Sequence, residues 1–300
     1  MAKPASDTPR LRTVLLYSRG HLGSAIVFNL LHKRELDIVG VVRASPLLSA
    51  KTGYINFNPI KKTGIRLGVM LAWQRSIELL TYGLAVLFSF FRKDGFLPGW
   101  LLAHRLKIPI LTCKDINAPE VLDFLREKQP DILVSAYFHQ IIRPPILKIP
   151  RLGVLNIHPG WLPDYRGVMN YFWVLRNEEQ SGGVSIHWID EGIDTGGLLA
   201  RVRFTITPQM TQHQVLMKTA ILGSRLLQQI ARRLARNEAI PVITVSEEDA
   251  RYYSLPGPQA FDEYFRRRRF FRIRNVLRII FHGISRKKNR TPYATGKDNR

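Results

Sequence analysis

Leu11-Arg12-Thr13-Val14-Leu15-Leu16-Tyr17-Ser18-Arg19-Gly20-His21-Leu22-Gly23-Ser24 reads as an apolar strand that stops at a glycine-bearing turn. A helix follows to about His32, and Asp37-Ile38-Val39-Gly40-Val41-Val42 returns as a second strand. This strand–helix–strand opening predicts an α/β fold with a parallel sheet and helices outside it. Gly20 and Gly23 leave two readings of the turn. Either a ligand approaches the helix amides, or the turn packs tightly on a neighbouring loop. The full glycine fingerprint of a dinucleotide site is missing.

The pattern extends outward from this unit. A polar, turn-rich loop is expected over 45–64 and a helix over 66–92. A strand follows over 108–113. Asn117-Ala118-Pro119-Glu120 reads as a capped helix start with proline in the first turn, and this helix runs to about Lys128. Strands are expected over 131–137 and 153–158, with Pro144 and Pro145 closing the loop between them. Residues 168–176 read as helical, 183–188 as extended and 198–206 as an outer strand. Residues 211–236 form a long amphipathic helix. The division that follows is 1–208 as the main domain, 209–250 as a helix and strand packed on it, and 251–300 as a basic, aromatic-rich extension ending in a loose tail.

The 300 residues are 45% apolar, enough to bury a real core. Lysine and arginine number 45 against 23 acids, a formal charge of +22. Residues 266–300 hold thirteen basic side chains and one acid, Asp298, and so contribute +12 of it. Such a field draws nucleic acid, an anionic lipid surface or a polyanionic substrate. Cys113 is the single cysteine, so no internal disulfide forms. The polar start, Met1 to Asp7, offers no signal core, and a cytoplasmic protein is expected. The most apolar window, Leu79 to Phe91, is 13 uncharged residues long. It is too short to span a bilayer and reads as a buried helix before a membrane-skimming one.

Two polar clusters follow apolar, strand-like runs, their key residues 38 positions apart. The first is Asn156-Ile157-His158-Pro159-Gly160-Trp161-Leu162-Pro163-Asp164-Tyr165-Arg166-Gly167. The second is His187-Trp188-Ile189-Asp190-Glu191-Gly192-Ile193-Asp194-Thr195-Gly196. Alternation in a strand puts Asn156 and His158 on one face, at the end of the sheet where ligands bind. An amide and an imidazole together can donate to the oxygen of a tetrahedral intermediate, and Asp194 can charge or orient the ring. With no serine or cysteine nucleophile beside them, the substrate's own amine can attack. Each residue also has a plain structural reading. Asn156 can cap a turn, His158 can serve a backbone carbonyl, and Asp194 can belong to an acidic turn. Arg166 either binds an acceptor's carboxylate or phosphate, or locks its loop to an acidic side chain. His158, His187 and Asp194 make too thin a set for an expected metal site.

At these residues the chain resembles the folate-dependent formyltransferases, which act on glycinamide ribonucleotide, methionyl-tRNA or amino sugars. Their Asn-x-His pair and Leu-Pro-x-Tyr/Trp-Arg-Gly loop match Asn156, His158 and Leu162 to Gly167. Their later histidine and aspartate match His187 and Asp194. The resemblance covers about 11–208. It implies a Rossmann-like, mostly parallel open sheet, N10-formyltetrahydrofolate as co-substrate and catalytic roles for Asn156, His158 and Asp194. It also implies a pterin site walled by Tyr137, Phe138, His139, Gln140, Ile141 and Ile142 on one side and Asp190, Glu191, Gly192 and Ile193 on the other. Gly160, Trp161, Arg166, Gly167 and His187 then face the acceptor. Family members often carry serine where Gly160 stands.

The expected reaction is formyl transfer to a primary amine, with a small amino sugar as preferred acceptor. Methionyl-tRNA is the alternative, with Arg266 to Arg269, Arg272, Arg274 and Arg278 gripping phosphates. A third reading keeps the fold without catalysis and uses 261–300 to hold a membrane or polyanion, at the inner membrane surface. Nothing in the sequence fixes the oligomeric state.

Overall fold

The computed structural model describes residues 10–19, 21–32, 36–44, 59–91 and 95–267. Strands β1 (Leu11–Ser18) and β2 (Leu36–Ala44) flank helix α1 (Leu22–Leu31). Helices α2 (Pro59–Ser89) and α3 (Gly99–Leu106) lead to β3 (Ile110–Cys113), α4 (Pro119–Lys128), β4 (Ile132–Ala136), the short α5 (Pro144–Leu147) and β5 (Gly153–His158). Then come β6 (Arg166–Gly167), α6 (Asn170–Arg176), β7 (Ser181–Trp188), β8 (Leu198–Thr205), α7 (Gln212–Ala235), β9 (Tyr252–Tyr253) and α8 (Pro258–Arg267). The fold is α/β and Rossmann-like.

One sheet runs in the order β3-β2-β1-β4-β5-β7-β8. The first five strands are parallel, while β7 and β8 are antiparallel additions to β5. Strand alternation sorts the core into two faces. Leu15, Val134, Leu155, Ile157, Val184 and Ile186 pack with α1 and α7 on one side. Val14, Leu16, Val42, Leu133 and Val154 pack with α4 on the other. Helix α7 is anchored by a capping box. The Thr211 hydroxyl accepts from the Gln214 amide, and Gln214 reaches back to the Thr211 N–H. Such a cap stabilises a helix by about 1 kcal/mol. A satellite cluster joins α6 to α8 through Phe172, Phe261 and Tyr264, all buried.

Four expectations are corrected. Residues 59–64 are helix, not loop, because α2 begins with Pro59 at a position that needs no amide donor. Asn117 does not cap α4. Its side chain donates to the Ile141 carbonyl and accepts from the Arg143 amide, tying two loops together. The strand expected in 209–250 shrinks to an isolated bridge between Ile243 and Leu198. The Leu79–Phe91 window is not a buried helix throughout, since Leu79, Leu80, Leu87, Phe90 and Phe91 are exposed. The expected loop over 45–58, and the aromatic and arginine residues 268–300, lie outside the described residues.

Candidate active site

Asn156 and His158 close β5 on the face opposite Leu155 and Ile157. Antiparallel β7 sets His187 across from Asn156 and Ser185 across from His158, so four polar side chains share one patch of sheet. The loop after β5 then folds back over it. The Ser185 hydroxyl donates to the Gly160 carbonyl at 2.8 Å and accepts from the Leu162 amide at 3.1 Å. The Asn170 amide, fully buried at the start of α6, donates to the carbonyls of Tyr165 and Gly167.

His158 is engaged at both ring nitrogens. Nε2 lies 2.6 Å from the Tyr165 carbonyl and Nδ1 lies 3.3 Å from Asp194 Oδ1. The Tyr165 carbonyl and Asp194 are acceptors that favour hydrogen on both ring nitrogens, the imidazolium, against the Asn170 amide, whose Nδ2 stands 2.9 Å from Nε2. Burial alone would push this ring's pKa down. The Asp194 charge and hydrogen bond, with the Tyr165 carbonyl, more than offset that and hold it above the ordinary histidine value. Burial likewise pushes Asp194 up, and His158 and His187 overcome it, keeping the carboxyl well below the usual range. One ring thus serves a backbone carbonyl and meets the Asp194 carboxylate at once.

Asp194 reaches this position from a left-handed backbone, φ 55°. Its Oδ2 accepts from the Gly167 amide at 2.8 Å and its Oδ1 also lies 3.6 Å from His187 Nε2. Gly167 has φ 95°, and any Cβ there would run into the Tyr253 carbonyl of β9, so only glycine suits. His187 Nδ1 lies 2.7 Å from the Trp188 carbonyl, and Nε2 sits between the Asn156 amide nitrogen at 3.1 Å and Asp194 Oδ1 at 3.6 Å. His187 thus contacts the Asn156 amide on the same patch of sheet. One amide hydrogen of Asn156 remains to meet a substrate oxygen. The donor atoms of His158, His187 and Asp194 lie within 4.8 Å of one another, close enough for a metal ion.

Gly160 stands where members of the resembled family often carry serine. A Cβ there would stand 2.7 Å from the Tyr165 carbonyl oxygen and 2.8 Å from His158 Nε2. Trp161 lies over Gly183, and the guanidinium carbons of Arg201 and Arg203 sit 4.0 and 4.1 Å from its ring. Arg166 takes the second of its two expected roles. Glu247 grips it through two bonds of 2.7 and 2.8 Å, made by the two terminal nitrogens.

The two expected pterin walls differ in character. The loop after β4 is braced by its own side chains. The Tyr137 hydroxyl bonds Thr219 on α7, His139 meets Ser18, and Gln140 spans the Ile116 amide and the Lys114 carbonyl. Phe138 and Ile142 pack inward and Ile141 stands exposed. Across from it, Asp190 closes its own turn by accepting from Gly192 and Thr195, leaving Glu191, Gly192 and Ile193 exposed. Side chains are thus spent on bracing, which leaves the apolar Ile141 and Ile193 exposed, one on each loop.

At the β1 turn the tight-packing reading prevails. The Tyr137 ring fills the space beside Gly23, and Glu78 of α2 offers Oε1 3.4 Å from the Leu22 amide. The helix start already faces the buried Glu78 carboxyl group. Gly20 lies outside the described residues.

Sequence reasoning missed Ser185, Asn170, Glu247 and Tyr253. Ser185 carried a signal, since it precedes His187 by two on a strand and must share its face. The other three act from segments whose approach to the site depends on tertiary folding.

Residues 92–231 match the family described as Formyl transferase. The methionyl-tRNA formyltransferase of Geobacter metallireducens is 34% identical over 137 residues, 46% of this chain and 44% of that protein. The bifunctional polymyxin resistance protein ArnA of Wigglesworthia glossinidia brevipalpis is 33% identical over 153 residues, 51% of this chain and 23% of that protein. The chain therefore spans about half, or less, of the curated relatives it matches. Among solved structures, phosphoribosylglycinamide formyltransferase from Anaplasma phagocytophilum aligns with TM-score 0.54 at 14% identity, over 80% of this chain and 93% of that one. WlaRD, a sugar 3N-formyl transferase solved with dTDP and 5-N-formyl-THF, aligns with TM-score 0.51 at 18% identity, over 82% and 70%. At these identities the structural likeness establishes the fold.

Proposed function

We propose, from the premise that residues 92–231 belong to the formyltransferase family, that this protein transfers a formyl group from N10-formyltetrahydrofolate to the primary amine of a small, anionic amino sugar. The observation that carries the reading is the convergence of Asn156, His158 and Asp194 on one patch of sheet, with the imidazole between the carboxylate and a carbonyl. When bound, the folate supplies the activated formyl carbon. The two loops fit such a group, one offering braced backbone and each one exposed isoleucine.

In this proposal the acceptor amine attacks the formyl carbon directly. The free Asn156 N–H donates to the developing oxyanion, and one such donor is worth about 3 kcal/mol. The buried His158 imidazolium supplies positive charge beside it, one pleat along the strand. Asp194 keeps that charge in place and would orient the water through which the proton leaving the amine reaches the folate N10, as the formyl–N10 bond breaks and tetrahydrofolate leaves. Arg201 and Arg203, flanking Trp161 next to Gly160, suit a phosphate or nucleotide linker on the acceptor.

Methionyl-tRNA is the second reading, favoured by the names of the matched curated relatives. Incubation with N10-formyltetrahydrofolate against amino sugars, nucleotide-linked amino sugars and charged initiator tRNA decides between them. Formylation of the nucleotide-linked amines alone is expected. No transfer to any amine removes the proposal, and transfer to tRNA alone replaces it with the second reading.

A further inference from the structure

We infer that one side of α2 is a docking surface for an anionic lipid bilayer, on which the protein lies without crossing it. From Val69 to Phe91 the exposed positions recur every three or four residues along a single stripe. Val69, Trp73, Leu80, Leu87, Phe90 and Phe91 are 48–80% exposed. The exposed positions between them, including Ser76 and Gly83, are uncharged. The only charges from Val69 to Ser89, Arg75 and Glu78, pair with each other, and Glu78 points inward to α1. An ordinary surface helix keeps its charged face outward, so α2 is inverted in this respect.

The stripe runs for about 30 Å of helix. No described helix is long and apolar enough to cross a membrane. One side of the helix, with Met70, Ile77 and Ala85, is buried in the protein, and the other is an exposed apolar stripe with aromatics near both ends, free for shallow contact with a bilayer interface.

Charge complementarity selects the occupant. Lys61, Lys62 and Arg66 precede the stripe in sequence, and Arg92 and Lys93 follow it. At the far end Arg105 of α3 bonds Ser89 of α2 at 3.0 Å, and α3 exposes Trp100 and Leu106 as well. Helix α8 packs on α2 and leads directly into Arg266 to Arg269. In sequence, cations therefore flank the apolar stripe on both sides, the composition expected where a segment meets lipid phosphates. A second copy of the chain would bring +22 against +22, whereas an anionic bilayer brings the opposite sign.

The test is co-sedimentation of the full chain with vesicles of phosphatidylglycerol and phosphatidylcholine, and with phosphatidylcholine alone. Binding to the anionic vesicles only is expected. The triple variant Trp73→Ser, Leu87→Ser, Phe91→Ser should bind about tenfold more weakly with an unchanged melting temperature. A second readout uses brominated lipid. It should quench part of the wild-type tryptophan fluorescence, and the variant Trp73→Phe should lose that part. Three results overturn the inference: no vesicle binding by the wild type, equal binding by the triple variant, or quenching unaltered in Trp73→Phe. If the triple variant fails to fold, Leu87→Ser and Phe91→Ser singly and the quenching pair decide. A wild-type dimer that the stripe substitutions dissociate, with vesicle binding unchanged, would make the stripe a protein interface instead.

Discussion

At the scale of single residues, the Asp194–His158 contact controls charge at the site. His158 stands above the ordinary histidine value, so its contribution to stability is complete below about pH 6.5 and is lost as pH rises through its folded value. Asp194 is depressed, so its contribution is present above about pH 4 and is lost as pH falls. The variant Asp194→Asn should therefore cost most between those limits, about 3 kcal/mol, with a smaller gap at higher pH. Burial then dominates His158, and NMR titration of the labelled imidazole should place its midpoint below the ordinary value. A midpoint left high would mean that Asp194 does not hold the charge. Under the proposed reaction the same variant should lose about 100-fold or more in kcat/KM while folate affinity is retained. Gly160 makes a separate prediction. Serine there must push against the Tyr165 carbonyl and His158, both closer than 3 Å to the new Cβ. Gly160→Ser should cost about 1–3 kcal/mol in urea unfolding. An equally stable variant would show that the loop has slack.

At the scale of elements, α2 and α1 meet through a buried carboxyl. Burial pushes Glu78 up to about 7, only partly offset by Gln74, the Leu22 amide and Arg75. A raised carboxyl favours the folded state while protonated, so stability should fall as pH rises from about 4.5 through 7. Glu78→Gln stays neutral and should flatten that slope, gaining up to about 3 kcal/mol at pH 8 and nothing at pH 4. Parallel slopes for the two proteins in pH-dependent unfolding would contradict it. Element by element, legibility followed the strength of local pattern. Strands β1, β2, β4 and β5 are apolar runs ended by turns, and α7 keeps one apolar side for six turns, so both types could be read. The direction of β7 could not, because antiparallel pairing with β5 leaves no trace in its own residues. Tyr252 and Tyr253 form a two-residue strand, too short for any periodicity, yet β9 fixes Gly167 and so Asp194. For α2, the local pattern revealed a helix but not its exposed side, since that depends on α1, α3 and α8 packing against the other.

At the scale of the whole molecule, the candidate site cluster and the charge distribution carry different kinds of information. Asn156, His158 and Asp194 were recognisable because strand alternation and the spacing of two motifs are local rules. The partner of a +22 surface is set by a summed field that names only a sign. That sign still makes a kinetic prediction. An acceptor drawn by this field, and held by Arg201 and Arg203, should associate faster at low ionic strength. Raising salt from about 20 to 200 mM shrinks the Debye length from roughly 20 Å to 7 Å. For a nucleotide-linked amino sugar, kcat/KM should fall about tenfold over that range, carried by KM. For the same amino sugar without phosphates it should start lower and barely change. Arg203→Gln should flatten the first curve towards the second without lowering kcat, because the residue stands beside the acceptor rather than the formyl carbon. If both acceptors show the same salt curve, the positive charge does not serve the acceptor, and the rim of Arg201, Trp161 and Arg203 has a structural role alone.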